Sequence, residues 1–306
     1  MWRRSSAAAA ALLVALVALT GCGGGDGDSG SSPGRPDVPR ITIGTKNFTE
    51  QFILGELYKQ ALEAKGFKVE LKSDIGSSEI VDRALTSGSL DMYPEYIGVL
   101  LSEIAGDTDR PKSAMDAYRS AKAFEESRGF TLLGMTPFSD SNALAVKPGA
   151  PNTRGLRSIP DLGKVPGGAV VAAPPEFRAR FEGLVGLRQV YGLTNVRVKP
   201  VKIGDQYPAL AAGRVDAALV FTTDGQLSKG GYRVLSDPRS LFAFQNVAPV
   251  IRKEVVASDP KIATVVDAVS ERLTTAAMRE MNAAVALRKQ QPAAVAARFL
   301  EQAGLK

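Results

Sequence analysis

An internal echo carries the residues whose chemistry can be read first. The segment Ala84-Leu85-x-x-Gly88-x-Leu90-Asp91-x-x-x-x-Tyr96 returns as Ala209-Leu210-x-x-Gly213-x-Val215-Asp216-x-x-x-x-Phe221, with every matched pair at the same separation. Each copy reads as a helix end, a Gly C-cap, a short turn holding an Asp, and a strand that delivers an aromatic ring at its carboxyl end. Ligands in open α/β sheets bind outside those carboxyl ends, so Tyr96 and Phe221, from two similar lobes, could face each other across a cleft. They could equally close two buried cores, and the repeat alone favours neither reading. Other chemistry is excluded more firmly. The chain has no histidine, which removes Ser-His-Asp and Cys-His sites and the commonest metal ligand. Asp91 and Glu95 could pair for acid/base work, but a capping role in the repeated turn suits Asp91 better. No Gly-rich loop with a following Lys-Ser/Thr succeeds a strand, so nucleotide chemistry is not expected. These absences argue against an enzyme and imply neither cofactor nor metal.

The elements that must position the rings begin after an export signal. Arg3 and Arg4 precede an apolar run from Ala7 to Leu19, and Leu19-Thr20-Gly21-Cys22 follows. The run is shorter than the roughly 20 residues of a spanning helix, and small residues sit just before the only cysteine, so 1–21 reads as a cleaved signal peptide. Resemblance to the bacterial lipobox implies a diacylglycerol on Cys22 and a protein anchored on the extracytoplasmic face of the cell membrane. Residues 22–39 are Gly, Ser, Asp and Pro with almost nothing apolar, a flexible tether. The net charge of +6 includes the two leader arginines, and the other basic residues are scattered among acidic ones, so no nucleic-acid surface is expected.

Arg40–Gly44 reads as a strand, Asn47 with Glu50 as a capping box opening a helix through Lys65, and Phe67–Leu71 as a second strand. The same βαβ grammar recurs as a strand over Gly168–Ala173, a helix over Arg178–Tyr191 and a strand over Val196–Pro200. The stretch from about Pro260 to Gly304 is helical, with Pro292 near the start of the last helix. The class is α/β, in two similar halves.

Several ordered motifs then resemble one family. Ile43-Gly-Thr-Lys46-Asn-Phe-Thr-Glu-Gln51, Ala84-Leu-Thr-Ser-Gly88, Asp91-Met-Tyr-Pro-Glu95-Tyr96 and the stretch Asp216 to Asp224 resemble the osmoprotectant-binding proteins of ABC importers, whose ligands are glycine betaine, choline, carnitine and proline betaine. The likeness runs from about residue 41 to 305. It implies a two-lobed periplasmic-binding-protein-like fold of type II, with lobe one as 41–138 plus 245–306, lobe two as 139–244, and a ligand in the interlobe cleft. It implies a monomer that hands its solute to a permease driven by a cytoplasmic ATPase.

Position by position, the resemblance makes Tyr96, Asn142, Phe221 and Phe244 the walls of an aromatic cage for a trimethylammonium group. Lys46 and Arg180 become the partners of a ligand carboxylate, with Arg178 an alternative to Arg180. Gln51 and Asp140 follow as further contacts. Asn142 stands where many relatives have Tyr, Phe221 and Phe244 lack hydroxyls, and Val99 replaces a polar side chain. These departures weaken the case for glycine betaine in particular and leave room for a larger betaine such as ergothioneine, or for an uncharged aromatic ligand.

Overall fold

The computed structural model describes residues 40–107, 111–242 and 244–306. The expected signal peptide, Cys22 and the expected tether lie outside the described residues.

Two five-stranded mixed sheets organise the described residues. The first takes its strands from β1 (Arg40–Gly44), β2 (Lys68–Lys72), β3 (Met92–Tyr96), β4 (Phe130–Leu132) and β10 (Val247–Arg252), in the order β2-β1-β3-β10-β4. The second is built from β5 (Asn142–Val146), β6 (Val170–Ala173), β7 (Arg197–Pro200), β8 (Ala217–Phe221) and β9 (Arg233–Val234), in the order β7-β6-β8-β5-β9. In each, four strands point the same way and the fifth, β10 in the first sheet and β5 in the second, runs antiparallel between two of them.

The sequence echo is a structural repeat. Gly88 and Gly213 both take left-handed backbone, with φ of 82° and 68°, as the ends of their helices require. Asp91 then accepts the Thr42 amide at 2.8 Å, and Asp216 accepts the Val170 amide at 2.9 Å. Each Asp thus ties the start of its own strand to the neighbouring parallel strand. The strand that follows emerges with Tyr96 or Phe221 at its carboxyl end.

Helix α1 (Thr49–Ala64) covers the first sheet, burying Ile53, Leu54, Leu57 and Ala61 against the C-terminal helices Lys261–Ser270, Thr275–Ala286 and Pro292–Gln302. The expected capping box is absent: Phe48 is the N-cap residue and no side chain caps the helix. Glu50 instead points inward, accepting from the Tyr96 hydroxyl at 2.8 Å, the Thr223 hydroxyl at 2.5 Å and the Asn282 amide at 2.7 Å. Burial raises its pKa, against those three hydrogen bonds. Helix α2 (Ser78–Thr86) lies over the opposite face and packs Val81 and Leu85 beside Tyr93 and Ile97.

The expected helix over 178–191 is broken. Only Gly186–Tyr191 is α-helical, while Pro175–Arg178 is a 3₁₀ turn, and Glu182 and Gly183 are non-helical. Gly183 lies so close to the Phe177 carbonyl that a Cβ there would sit 2.2 Å from the oxygen, so the chain can pass only as glycine. The break turns Glu182 inward.

The chain leaves the first sheet after β4 and returns to it before β10. The two connecting segments run side by side, joined by the antiparallel bridge Ser139↔Asn246 and by the Asp140 amide donating to the Gln245 carbonyl at 3.0 Å. Asn246 braces them by donating to the Thr136 and Phe138 carbonyls.

Behind the first sheet, Glu125 of the helix Ala114–Ser127 is buried beside Arg128, and burial, with Asp82 and Glu95 nearby, pushes its carboxyl up to about 7 despite the Arg128 charge. A carboxyl with a raised folded pKa binds more protons folded than unfolded between about 4.5 and about 7. Its contribution is therefore greatest at the acid end of that window and is lost as pH rises through it. Glu125→Gln should flatten the fall in melting temperature over this interval, which calorimetric melting at several pH values would register.

Candidate ligand cavity at the strand ends

A cavity opens where the carboxyl ends of the parallel strands of both sheets meet, the usual place for a ligand in an open α/β sheet. Lys46 follows β1, Tyr96 ends β3, Pro174 follows β6 and Phe221 ends β8. Asn142 opens β5 directly opposite Phe221 in the antiparallel register, so the two reach the cavity together.

Of the residues singled out by sequence, Lys46, Tyr96, Asp140, Asn142, Arg180 and Phe221 line this cavity, and Val99 does too. Arg178 does not: its guanidinium donates to the Val198 carbonyl at 3.0 Å, which leaves Arg180 as the arginine of the cleft. Gln51 is buried below the lining, where its Oε1 accepts the Lys46 amide at 3.3 Å and fixes the β1–α1 loop. Phe244 is also outside. It packs beside the Leu100 cluster and lines a separate hollow with Lys112, Ser139 and Phe242. The next residue, Gln245, takes the place in the cavity, accepting the Val99 amide at 3.2 Å and donating to Glu182 at 2.5 Å. Gly98 makes this fit, since a Cβ there would meet the Gln245 amide at 2.4 Å.

The ring that sequence reasoning missed is Phe48. It stacks on Phe221 with centroids 5.6 Å apart and planes at 9°, and on Tyr96 at 6.2 Å and 21°. Phe48, Tyr96 and Phe221 thus form a near-parallel group along one side of the cavity. Its position just before α1, two residues after Lys46 in the Ile43–Gln51 motif, is the available signal. Glu182 was hidden by the broken helix, and Gln245 by the more conspicuous Phe beside it.

The electrostatics favour positive charge against the rings. The Lys46 ammonium stands 4.1 Å from the centroid of Tyr96 and 5.8 Å from that of Phe48, while it pairs with Glu95 and reaches Ser78 Oγ at 3.2 Å. Burial lowers its pKa, and the Glu95 carboxylate opposes that shift. Asp140 accepts the Thr223 amide at 3.1 Å, and burial followed by the charges of Glu50 and Asp224 raises its pKa well above the usual carboxylate range. Asp224, buried beneath the Phe221 amide and Tyr207, is pushed up to about 6, mainly by burial. Among the described residues, no group of His, Cys, Asp and Glu is arranged to hold a metal ion, and no helix is long and apolar enough to cross a membrane.

Comparison with known proteins agrees with this geometry. Residues 39–302 match the family described as the substrate binding domain of ABC-type glycine betaine transport system. A glycine-betaine-binding protein of Pseudomonas aeruginosa is 36% identical over 273 residues, covering 86% of this chain and 87% of its own. The glycine betaine-binding protein YehZ of Escherichia coli strain K12 is 30% identical over 285 residues, with 86% and 90% covered. The solved structure of apo YehZ from Escherichia coli superposes with a TM-score of 0.63 at 28% identity, over 87% of this chain and 99% of that one. The architecture is the two-lobed type II fold of periplasmic substrate-binding proteins. The chain therefore belongs to the family of substrate-binding domains of ABC-type glycine betaine transport systems, and is a solute-binding component of an importer rather than an enzyme.

Proposed function

We propose that this protein captures a quaternary-ammonium solute of the betaine or choline type outside the cytoplasm and delivers it to its ABC permease. The observation that carries this reading is the near-parallel group of Phe48, Tyr96 and Phe221 beside a cavity in which a cation already stands over the Tyr96 face. A trimethylammonium group cannot donate a hydrogen bond, so ring faces suit it better than polar side chains do. Asn142 and Gln245 supply the polar remainder, both donating to Glu182. The relatives named for glycine betaine support the ligand class.

In this reading lobe one is 41–138 plus 245–306 and lobe two is 139–244, with the paired connectors at Ser139 and Asn246 as the hinge. Lys46, Tyr96, Asp140, Asn142, Arg180 and Phe221 contact or frame the ligand, and Gln51 supports Lys46 from beneath. Phe244 stands beside the hinge and lines a separate hollow, outside the cage. The receptor is monomeric and held to the membrane by a lipid on Cys22. Calorimetric titration of the mature protein with glycine betaine, choline and carnitine tests the ligand class. At least one should bind with micromolar or tighter affinity, about −8 kcal/mol or better. Failure of all three would rule it out.

A further inference from the structure

Both cations that line the cavity already have partners supplied by the chain itself. Lys46 is paired with Glu95. Arg180, carried by the segment between β6 and β7, reaches across to Glu79 in the first turn of α2, which packs on the other sheet. Its Nε lies 3.1 Å from Oε1 of Glu79, and Nη2 lies 3.0 Å from Oε1 and 2.9 Å from Oε2. This two-nitrogen, two-oxygen geometry is the one by which a guanidinium recognises a carboxylate. Ser77 donates to Oε2 at 2.5 Å and holds the carboxylate in place.

The Arg180 side chain is 16% exposed and that of Glu79 31%, so the pair is partly shielded from water. Although burial works the other way for each, the Arg180 hydrogen bonds and charge, with Ser77, hold the Glu79 carboxyl down to about 2, and Glu79, Glu103 and Glu176 raise the Arg180 pKa. Glu176 and Glu182 also line the cavity, so negative charge outweighs positive around it. The arginine to which a ligand carboxylate would turn is therefore already engaged.

We propose that Glu79 is a specificity-determining residue: its carboxylate holds Arg180 in place of a ligand's carboxylate. A zwitterion must displace it, whereas a carboxylate-free quaternary ammonium need not. The Glu79–Arg180 pair also joins the two sheets' lobes across the cleft without help from a ligand. This inference rests on the quaternary-ammonium reading above and goes beyond it by saying which end of the ligand the site resists.

The test is calorimetric titration of the wild-type mature protein and of Glu79→Gln with two probes, glycine betaine, which carries a carboxylate, and choline, which does not. Glu79→Gln should bind glycine betaine about tenfold more tightly than the wild type, with choline changed by less than about threefold, the scale expected for releasing one partly buried charge partner. A shift of the same size for both probes, or none for glycine betaine, would overturn the proposal while leaving the ligand class standing. No binding of either probe by either protein would overturn this proposal, and if carnitine failed as well the ligand class would go with it.

Discussion

Lys46→Met should lower the stability of the unliganded protein by about 3–5 kcal/mol, the cost of leaving a buried charge without its partner. The partner is Glu95, whose side chain is 0% exposed, while that of Lys46 is 4% exposed. Glu95 Oε1 also accepts the Tyr96 amide at 2.6 Å, so the carboxylate is fixed to the strand that delivers the cage ring and cannot swing out to water. Its other oxygen has no hydrogen-bond partner, which leaves nothing to compensate for the lost ammonium. Lys46→Met combined with Glu95→Gln should recover most of the loss, because removing both charges leaves a neutral, packed site. Urea denaturation of the three proteins measures all of this. A loss below about 1 kcal/mol for the single variant would mean that the pair is solvated, as an exposed pair would be.

The second large effect is on binding. Phe48→Ala should weaken a quaternary-ammonium ligand by about 1–2 kcal/mol, roughly five- to thirtyfold, because it removes the ring that stacks on both other members of the group. Phe221→Ala should cost a similar amount. The two should not add, since each ring positions the other and coupled neighbours give non-additive changes. Phe244→Ala provides the contrast. Its ring lines a different hollow, so the affinity of the cage should change by much less. Titrating the same ligand into all three variants separates the rings that face the ligand from the one that packs elsewhere.

The parts of the architecture legible in the sequence are those set by local periodicity. The first strand is found as Arg40–Gly44, and α1 ends at Ala64 with Lys65 as its cap, within a residue of expectation. The echo that nominated Tyr96 and Phe221 proves to be one device used twice, an Asp that ties a strand start to its parallel neighbour. What stayed hidden depends on contacts between distant segments. Asn47 and Glu50 have the spacing of a capping box, yet Glu50 is drawn inward by Tyr96, Thr223 and Asn282, residues far along the chain. Nothing in the period of 178–191 announces a break, because the break follows from how closely Gly183 approaches the Phe177 carbonyl.

The cage shows the same limit. Tyr96 and Phe221 were visible through their repeat, whereas Phe48 has no repeated counterpart and is recognised only by its stacking. Phe244 and Gln245 are neighbours whose side chains part company, and only the fit of Gln245 against Gly98 determines which enters the cavity. Arg178 and Arg180 were indistinguishable by type, and the Val198 carbonyl and Glu79 separate them. The charge partners that Lys46 and Arg180 find within the chain, Glu95 and Glu79, could not be read from spacing at all.

The three rings are proposed to select positive charge rather than shape. The most direct test is to titrate the mature protein with choline and with 3,3-dimethyl-1-butanol, which has the same branched head and hydroxyl but a carbon in place of the nitrogen. Choline should bind at least about tenfold more tightly, the size of a desolvated cation–π contact. Equal affinities, or tighter binding of the uncharged alcohol, would contradict it.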